Sequence, residues 1–90
     1  MHYEWDQTKR EENLRKHGID FCDAIGALQD PANLTIEDPD AAEEARFLTL
    51  GMDFLLRVLL VVWTECAVDR VRIISARKAS PGEMRRYHGK

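Results

Sequence analysis

Apolar positions along this chain repeat with two periods, and the switches between them mark its elements. Residues His2 to Trp5 alternate and predict a short first strand. Asp6 suits the N-cap of a polar helix over Gln7 to His17, and Gly18 is its natural stop. Leu14 and Ile19 are placed for the hydrophobic contact of a Schellman ending. Leu14 is the one clear apolar anchor of this helix, which therefore belongs on the surface. Asp20 caps a second helix, where Phe21, Ala24, Ile25 and Leu28 recur at i, i+3, i+4 and i+7 as a buried stripe. Asp30-Pro31 ends it. Asn33 to Ile36 predicts a short edge strand, and the acidic stretch Glu37 to Glu44, with Pro39, predicts a solvated loop.

The second half returns to period two. Arg46 to Gly51 alternates, with Phe47 and Thr49 on one side and Arg46, Leu48 and Leu50 on the other. After a turn at Met52-Asp53, Phe54 to Thr64 is almost continuously apolar and predicts a central strand covered on both faces. A turn over Ala67 to Asp69 leads into Arg70 to Tyr87, RVRIISARKASPGEMRRY. Here Val71, Ile73 and Ser75 alternate with Arg72, Ile74 and Ala76 in a β-branched strand. Ser80, Pro81 and Glu83 then form a capping box with Pro at the first helical position. The predicted order is β-αα-ββββ-α. Turns too short for parallel crossovers make the last three strands an antiparallel meander. The fold class is α+β: an antiparallel sheet with two N-terminal helices and one C-terminal helix. The end after Gly89 is expected to fray.

Ninety residues predict one domain, spanning 1–90, with one core. Cys22 and Cys66 lack any metal-ligand spacing and are expected as small buried thiols in a reducing compartment. No cofactor or metal motif is present. The start is charged rather than signal-like, and the longest apolar run, Val58 to Trp63, is too short to span a bilayer. A cytoplasmic protein without a membrane partner is expected. The net charge of −3 is unevenly distributed: residues 1–45 carry −8, residues 46–68 are neutral and residues 69–90 carry +5. The basic third could attract phosphate or be neutralised by the acidic half of the same molecule.

Arg46, Arg72 and Arg77 lie on or beside strands expected to be neighbours. A guanidinium on a core strand is costly to desolvate without an anionic partner. Three converging on one face would suit a phosphate, whose oxygens they match bidentately. The competing expectation is internal pairing with Glu44, Glu65 or Asp69, and it is the preferred one because buried Arg is normally paired. Glu65 is a candidate general base or Arg partner. His17 is either a cation at a helix C-terminus or an acid/base group. Lys9, Arg10, Arg15 and Lys16 form a basic patch able to touch a nucleic-acid backbone, and Arg85 and Arg86 extend the positive charge along the last helix. Trp5 and Tyr87 are expected as core or interface aromatics rather than base-stacking platforms.

Several of these residues together resemble a known family. Glu4-Trp5-Asp6, Lys9, Asn13, Lys16-His17-Gly18 and Phe21 are similar to the start of the BrnT ribonuclease toxins. Asp30-Pro31, Arg46, Val61 to Thr64, Arg72 to Arg77, Glu83 and Tyr87 continue the match. The strand end reads Thr64-Glu65-Cys66 where the family commonly has Thr-Glu-Arg, and Glu44-Ala45-Arg46 stands for Glu-Glu-Arg. The resemblance implies a RelE-like fold and a type II toxin. It implies a nearby-encoded, BrnA-like antitoxin partner and contact with operator DNA only through that antitoxin. It also implies metal-independent RNA cleavage by 2′-OH attack, which inhibits translation. On that reading Arg46, Arg72 and Arg77 meet phosphate and transition-state charge. His17 or Glu65 moves protons, and Lys9, Lys16, Arg85 and Arg86 bind RNA. The alternative is a catalytically weak or inactive module that pairs with an antitoxin and serves operator binding.

Overall fold

The computed structural model describes residues 1–89, so the predicted fraying beyond Gly89 lies outside the described residues. Five strands, β1 (His2–Glu4), β2 (Leu34–Glu37), β3 (Phe47–Met52), β4 (Val58–Ala67) and β5 (Arg70–Lys78), form one sheet in the order β1-β5-β4-β3-β2. Helices α1 (Gln7–His17) and α2 (Phe21–Gln29) follow β1, and α3 (Pro81–His88) closes the described chain. The expected meander is present and runs from β2 to β5. β1 adds in parallel to β5, so the sheet is mixed rather than wholly antiparallel.

Helix ends follow the local chemistry. The Asp6 carboxylate accepts from the Thr8 and Lys9 N–H groups, and Gly18 stops α1 at φ 72° with its N–H on the Leu14 carbonyl. Asp20 caps α2 through the Cys22 N–H, and Ser80 and Glu83 close a reciprocal capping box on α3.

The core is two-sided. Ile19, Phe21, Ala24 and Ala27 pack on Leu59, Val61, Ile73 and Ala76 on one sheet face. Tyr87 packs with Leu50 and Val58 on the other. Gly51 is required where α2 crosses: a Cβ there would lie 2.1 Å from the Ala27 carbonyl oxygen. Trp5 meets Phe21 edge to face, and Trp63 stacks on Phe47 while its Nε1–H donates to Thr49 at 2.8 Å. Tyr87 reaches the Asp30 carboxylate, which also accepts from the Ala32 and Met52 N–H groups. That acceptor pushes the Tyr87 hydroxyl up to about 12.

Four expectations are corrected. β4 begins at Val58, not Phe54. The buried Asp53 carboxylate accepts from the Leu55 and Arg57 N–H groups and from Arg57 Nε, building a turn in which Leu56 takes φ 64°. Phe54, Leu55 and Leu56 are left exposed at its tip. Second, both cysteines are exposed. Third, Leu14 is 47 % exposed and α1 is anchored by Asn13, 7 % exposed. The Asn13 amide donates to the Ala76 and Ile19 carbonyls at 2.7 and 2.9 Å and accepts from the Ala76 N–H at 3.1 Å. Beyond the end of β1, this side chain supplies the hydrogen bonds that a neighbouring strand would give β5 at Ala76.

The fourth correction matters most for function. Val62 pairs with Ser75 but Trp63 pairs with Ile73, so Ile74 is an extra residue in β5. Before this bulge the odd-numbered Val71 and Ile73 are buried; after it the even-numbered Ala76 is. Strict alternation would have put Arg72 and Arg77 on opposite faces, and the bulge puts them on the same one.

Asn13→Ala strands the N–H and both carbonyls without their protein partner. Each orphaned buried group costs about 1–3 kcal/mol, so the variant should lose about 2–4 kcal/mol, read as a lower urea midpoint at unchanged slope.

Candidate active site

The face turned away from α2 carries all three strand arginines, but not at one point. Phe47 pairs with Trp63 and Thr64 with Arg72, so Arg46, one residue before β3, falls beside Thr64. Arg46, Thr64 and Arg72 thus form a row across three strands, its ends separated by two strand spacings, about 10 Å. The Thr64 hydroxyl donates to the Ala45 carbonyl at 2.7 Å and pins the segment carrying Arg46. Arg77 pairs with Leu60, farther along β5 toward the end covered by α3.

These arginines differ in what their forks already hold. Arg72 donates through Nε at 3.0 Å and Nη2 at 2.6 Å to Glu4, which stands directly opposite it in the β1–β5 register. Its Nη1 makes no hydrogen bond among the described residues. Arg77 gives both terminal nitrogens to Glu83, at 2.8 and 3.0 Å, and Nη1 also reaches the Lys78 carbonyl. Arg46 has no hydrogen bond or ion pair on its guanidinium among the described residues. It is half-buried and lines a hollow with Asp38, Asp40, Glu43 and Glu44. Internal pairing is therefore present, but through Glu4 and Glu83 rather than the expected Glu44, Glu65 or Asp69. Strand pairing with β1 and the capping box bring those two acids closer than loop residues can come.

Two clefts adjoin along α1 and β5, and Arg72 lines one of them. That one, of about 250 Å³, is lined by Arg72, Glu4, Trp5, Asp6, Lys9 and Ile74, among others. The other, of about 170 Å³, is lined by Lys9, Glu12, Lys16, His17, Ile74 and Ser75, among others. Lys9 and Ile74 belong to both, so α1 and β5 bound a continuous groove of mixed charge, in which Arg72, Lys9 and Lys16 face Glu4, Asp6 and Glu12. Trp5 packs on the core and meets the Arg10 guanidinium, 5.8 Å from its ring. Glu65 is exposed and pairs with Val71, which puts it out of phase with Arg72 along the strand. Arg85 and Arg86 lie on α3, near Arg77 rather than this groove, and Arg86 lines an apolar hollow beside Leu48 and Leu60. Among the described residues, no three His, Cys, Asp or Glu side chains cluster closely enough to hold a metal ion.

The geometry reveals participants that the sequence reading passed over. Glu4 holds Arg72 and lies 3.6 Å from Arg70, Glu83 holds Arg77, and Asn13 sets the distance of α1 from β5. Glu4 stood in a motif, but its partner was hidden because parallel pairing between the first and last strands leaves no local signal.

A family model described as "Ribonuclease toxin, BrnT, of type II toxin-antitoxin system" matches residues 5–83. The chain belongs to this BrnT family. Among solved structures, the crystal structure of the Brucella abortus ribonuclease toxin BrnT is similar, at TM-score 0.66 and 28 % identity. The match covers 89 % of this chain and 99 % of that one. None of the curated proteins compared matches. This is a family of ribonuclease toxins of type II toxin–antitoxin systems, and membership implies an antitoxin partner. No helix among the described residues is long and apolar enough to cross a membrane.

The ion pairs leave an acid signature. Arg77 holds the Glu83 carboxyl at about 2 against an ordinary 4.5, and Arg10 holds Asp20 at about 2 against 3.8. Both bind protons more weakly folded than unfolded. Their contribution is complete above pH 4.5 and disappears as pH falls toward 2. Glu83→Gln should cost about 1 kcal/mol at pH 7, or about 4–8 °C in melting temperature. That gap should close near pH 2 in melts followed by circular dichroism.

Proposed function

We propose that this BrnT family toxin is a metal-independent endoribonuclease working in the groove between α1 and β5. The observation that carries the reading is Arg72: one edge is fixed by Glu4 and one terminal nitrogen remains for a ligand, beside Lys9 and a cleft holding His17 and Lys16. In RNA cleavage the 2′-hydroxyl attacks the adjacent phosphate, and a pentacoordinate phosphorane carries extra negative charge. Arg72 supplies fixed positive charge where that charge develops. Arg46, on the same row, extends the cationic surface by one phosphate spacing or more. Lys9 and Lys16 hold the backbone through charge without reading bases.

Proton transfer falls to His17 in preference to Glu65. His17 shares its cleft with Lys9, and an imidazole can both accept and donate a proton, whereas Glu65 is out of phase with the arginine row. Arg77 contributes mainly structure, because both ends of its fork are spent on Glu83. Arg85 and Arg86 would engage RNA only where it runs past α3. The partner is a nearby-encoded antitoxin, BrnA-like in kind, through which operator DNA is met.

The test is cleavage of labelled RNA in EDTA. Wild type should cut. Arg72→Ala and His17→Ala should each lose roughly 10²-fold or more in rate, Arg46→Ala less, and Glu65→Gln little. Equal rates for wild type, Arg72→Ala and His17→Ala would remove the assignment. Internal pairing of both Arg72 and Arg77 favours the second reading, a non-cutting module paired with the antitoxin. Growth arrest on expressing the chain alone, rescued by the neighbouring gene, supports the toxin; harmless expression supports the module.

A further inference from the structure

Glu4 occupies an unusual place in this groove. Its carboxylate lies directly across from Arg72 in the only parallel pairing of the described sheet and takes two bonds from that guanidinium. Its other oxygen is 3.6 Å from Arg70 Nε. The same carboxylate lines the cleft with Lys9 and Trp5. Around it stand Asp6, spent on capping α1, the Cys66 thiol, which donates to the Arg70 carbonyl at 3.7 Å, and Glu44 within electrostatic reach of Arg72. Acids in a groove meant for a polyanion weaken the attraction for RNA; Asp6 and Glu12 line this one too, but Glu4 is the acid bonded to Arg72. Its retention there calls for a compensating role in the reaction.

We infer that Glu4 is a positioning residue for RNA cleavage, exchanging substrate affinity for a fixed Arg72. An arginine side chain has several rotatable bonds, and an unheld guanidinium follows a phosphate wherever it binds. Bound edge-on by Glu4 through Nε and Nη2, Arg72 is held in one orientation at the cleft it lines, with Nη1 as its remaining terminal nitrogen. Binding energy then goes to the transition state instead of to whatever phosphate arrives first. The same carboxylate restrains Arg70 and keeps a second guanidinium from competing for RNA in unproductive positions. This role rests on the ribonuclease reading above.

The experiment compares wild type, Glu4→Ala, Glu4→Gln and Glu4→Asp on one fluorescent single-stranded RNA. Binding is measured across a salt series and single-turnover cleavage in EDTA, with melting curves to establish that each variant folds. Glu4→Ala should bind more tightly at low salt. Its log–log salt slope should steepen by roughly 0.7 for each phosphate newly engaged, while its maximal rate falls roughly tenfold to a hundredfold. KM and kcat therefore fall together, which a simple loss of packing would not produce. Glu4→Gln, keeping one acceptor oxygen, should lie between, and Glu4→Asp should recover part of the rate. Cleavage by wild type that Glu4→Ala matches in rate, KM and salt slope overturns the role of Glu4 and leaves the ribonuclease reading standing. A folded wild-type chain that binds RNA but does not cut it overturns both.

Discussion

The amide of Asn13 is the contact on which the layout rests. β1 is three residues long and β5 is nine, so most of the outer edge of β5 has no neighbouring strand. A bare strand edge is a row of unmet hydrogen-bonding groups, and burying one without partners is expensive. One primary amide offers both a donor and an acceptor, the pair a passing strand would offer. Asn13 uses them on the N–H and carbonyl of Ala76 and spends its remaining proton on Ile19. α1 is thereby fixed against the sheet although it has almost no apolar face. The groove exists because a polar helix, with Lys9, Glu12, Lys16 and His17 along it, can sit this close to β5. An aliphatic anchor would have needed a broader apolar stripe on α1 and left less room for charge at the same spot.

From that placement the arginines acquire different characters. Arg77 is tied at both prongs within a capping box and serves the junction of β5 with α3. Arg72 is held along one edge, and Arg46 is bounded by carboxylates without being bonded to one. Three residues of one type on one sheet face thus range from structural to available. The difference comes from which acid the backbone happens to bring opposite each.

How far the sequence discloses this depends on whether the deciding contact is local. Caps are local, and Asp6, Gly18, Asp20 and the Ser80–Glu83 pair could be read from spacing alone. The α2 stripe and the meander could be read as well, since periodicity and turn length determine them. Phe54 to Leu56 misleads because an apolar run gives no warning of the buried carboxylate one residue earlier. Asn13 is invisible because a lone asparagine in a polar helix looks like solvated surface. Glu4 is invisible because its partner lies in the last strand. The bulge at Ile74 defeats strand parity, which was the only tool available for deciding where Arg77 points. The arginines and the basic side of α1 were legible as candidates; their grouping, with Arg77 set apart and His17 drawn in, was not.

Sequence separation has a consequence for how the molecule comes into being. The contacts that close it join positions far apart: Glu4 to Arg72, Asn13 to Ala76, Asp30 to Tyr87. α2 cannot bury its apolar stripe until β4 and β5 exist. At roughly 5–20 residues per second, the ribosome leaves that stripe bare for several seconds after the helix itself has emerged. Folding dominated by such distant pairings is slow, because chain entropy is lost before any stabilising contact is gained. The first half is therefore a nascent segment that waits, and the groove between α1 and β5 comes into existence only when its far wall is made.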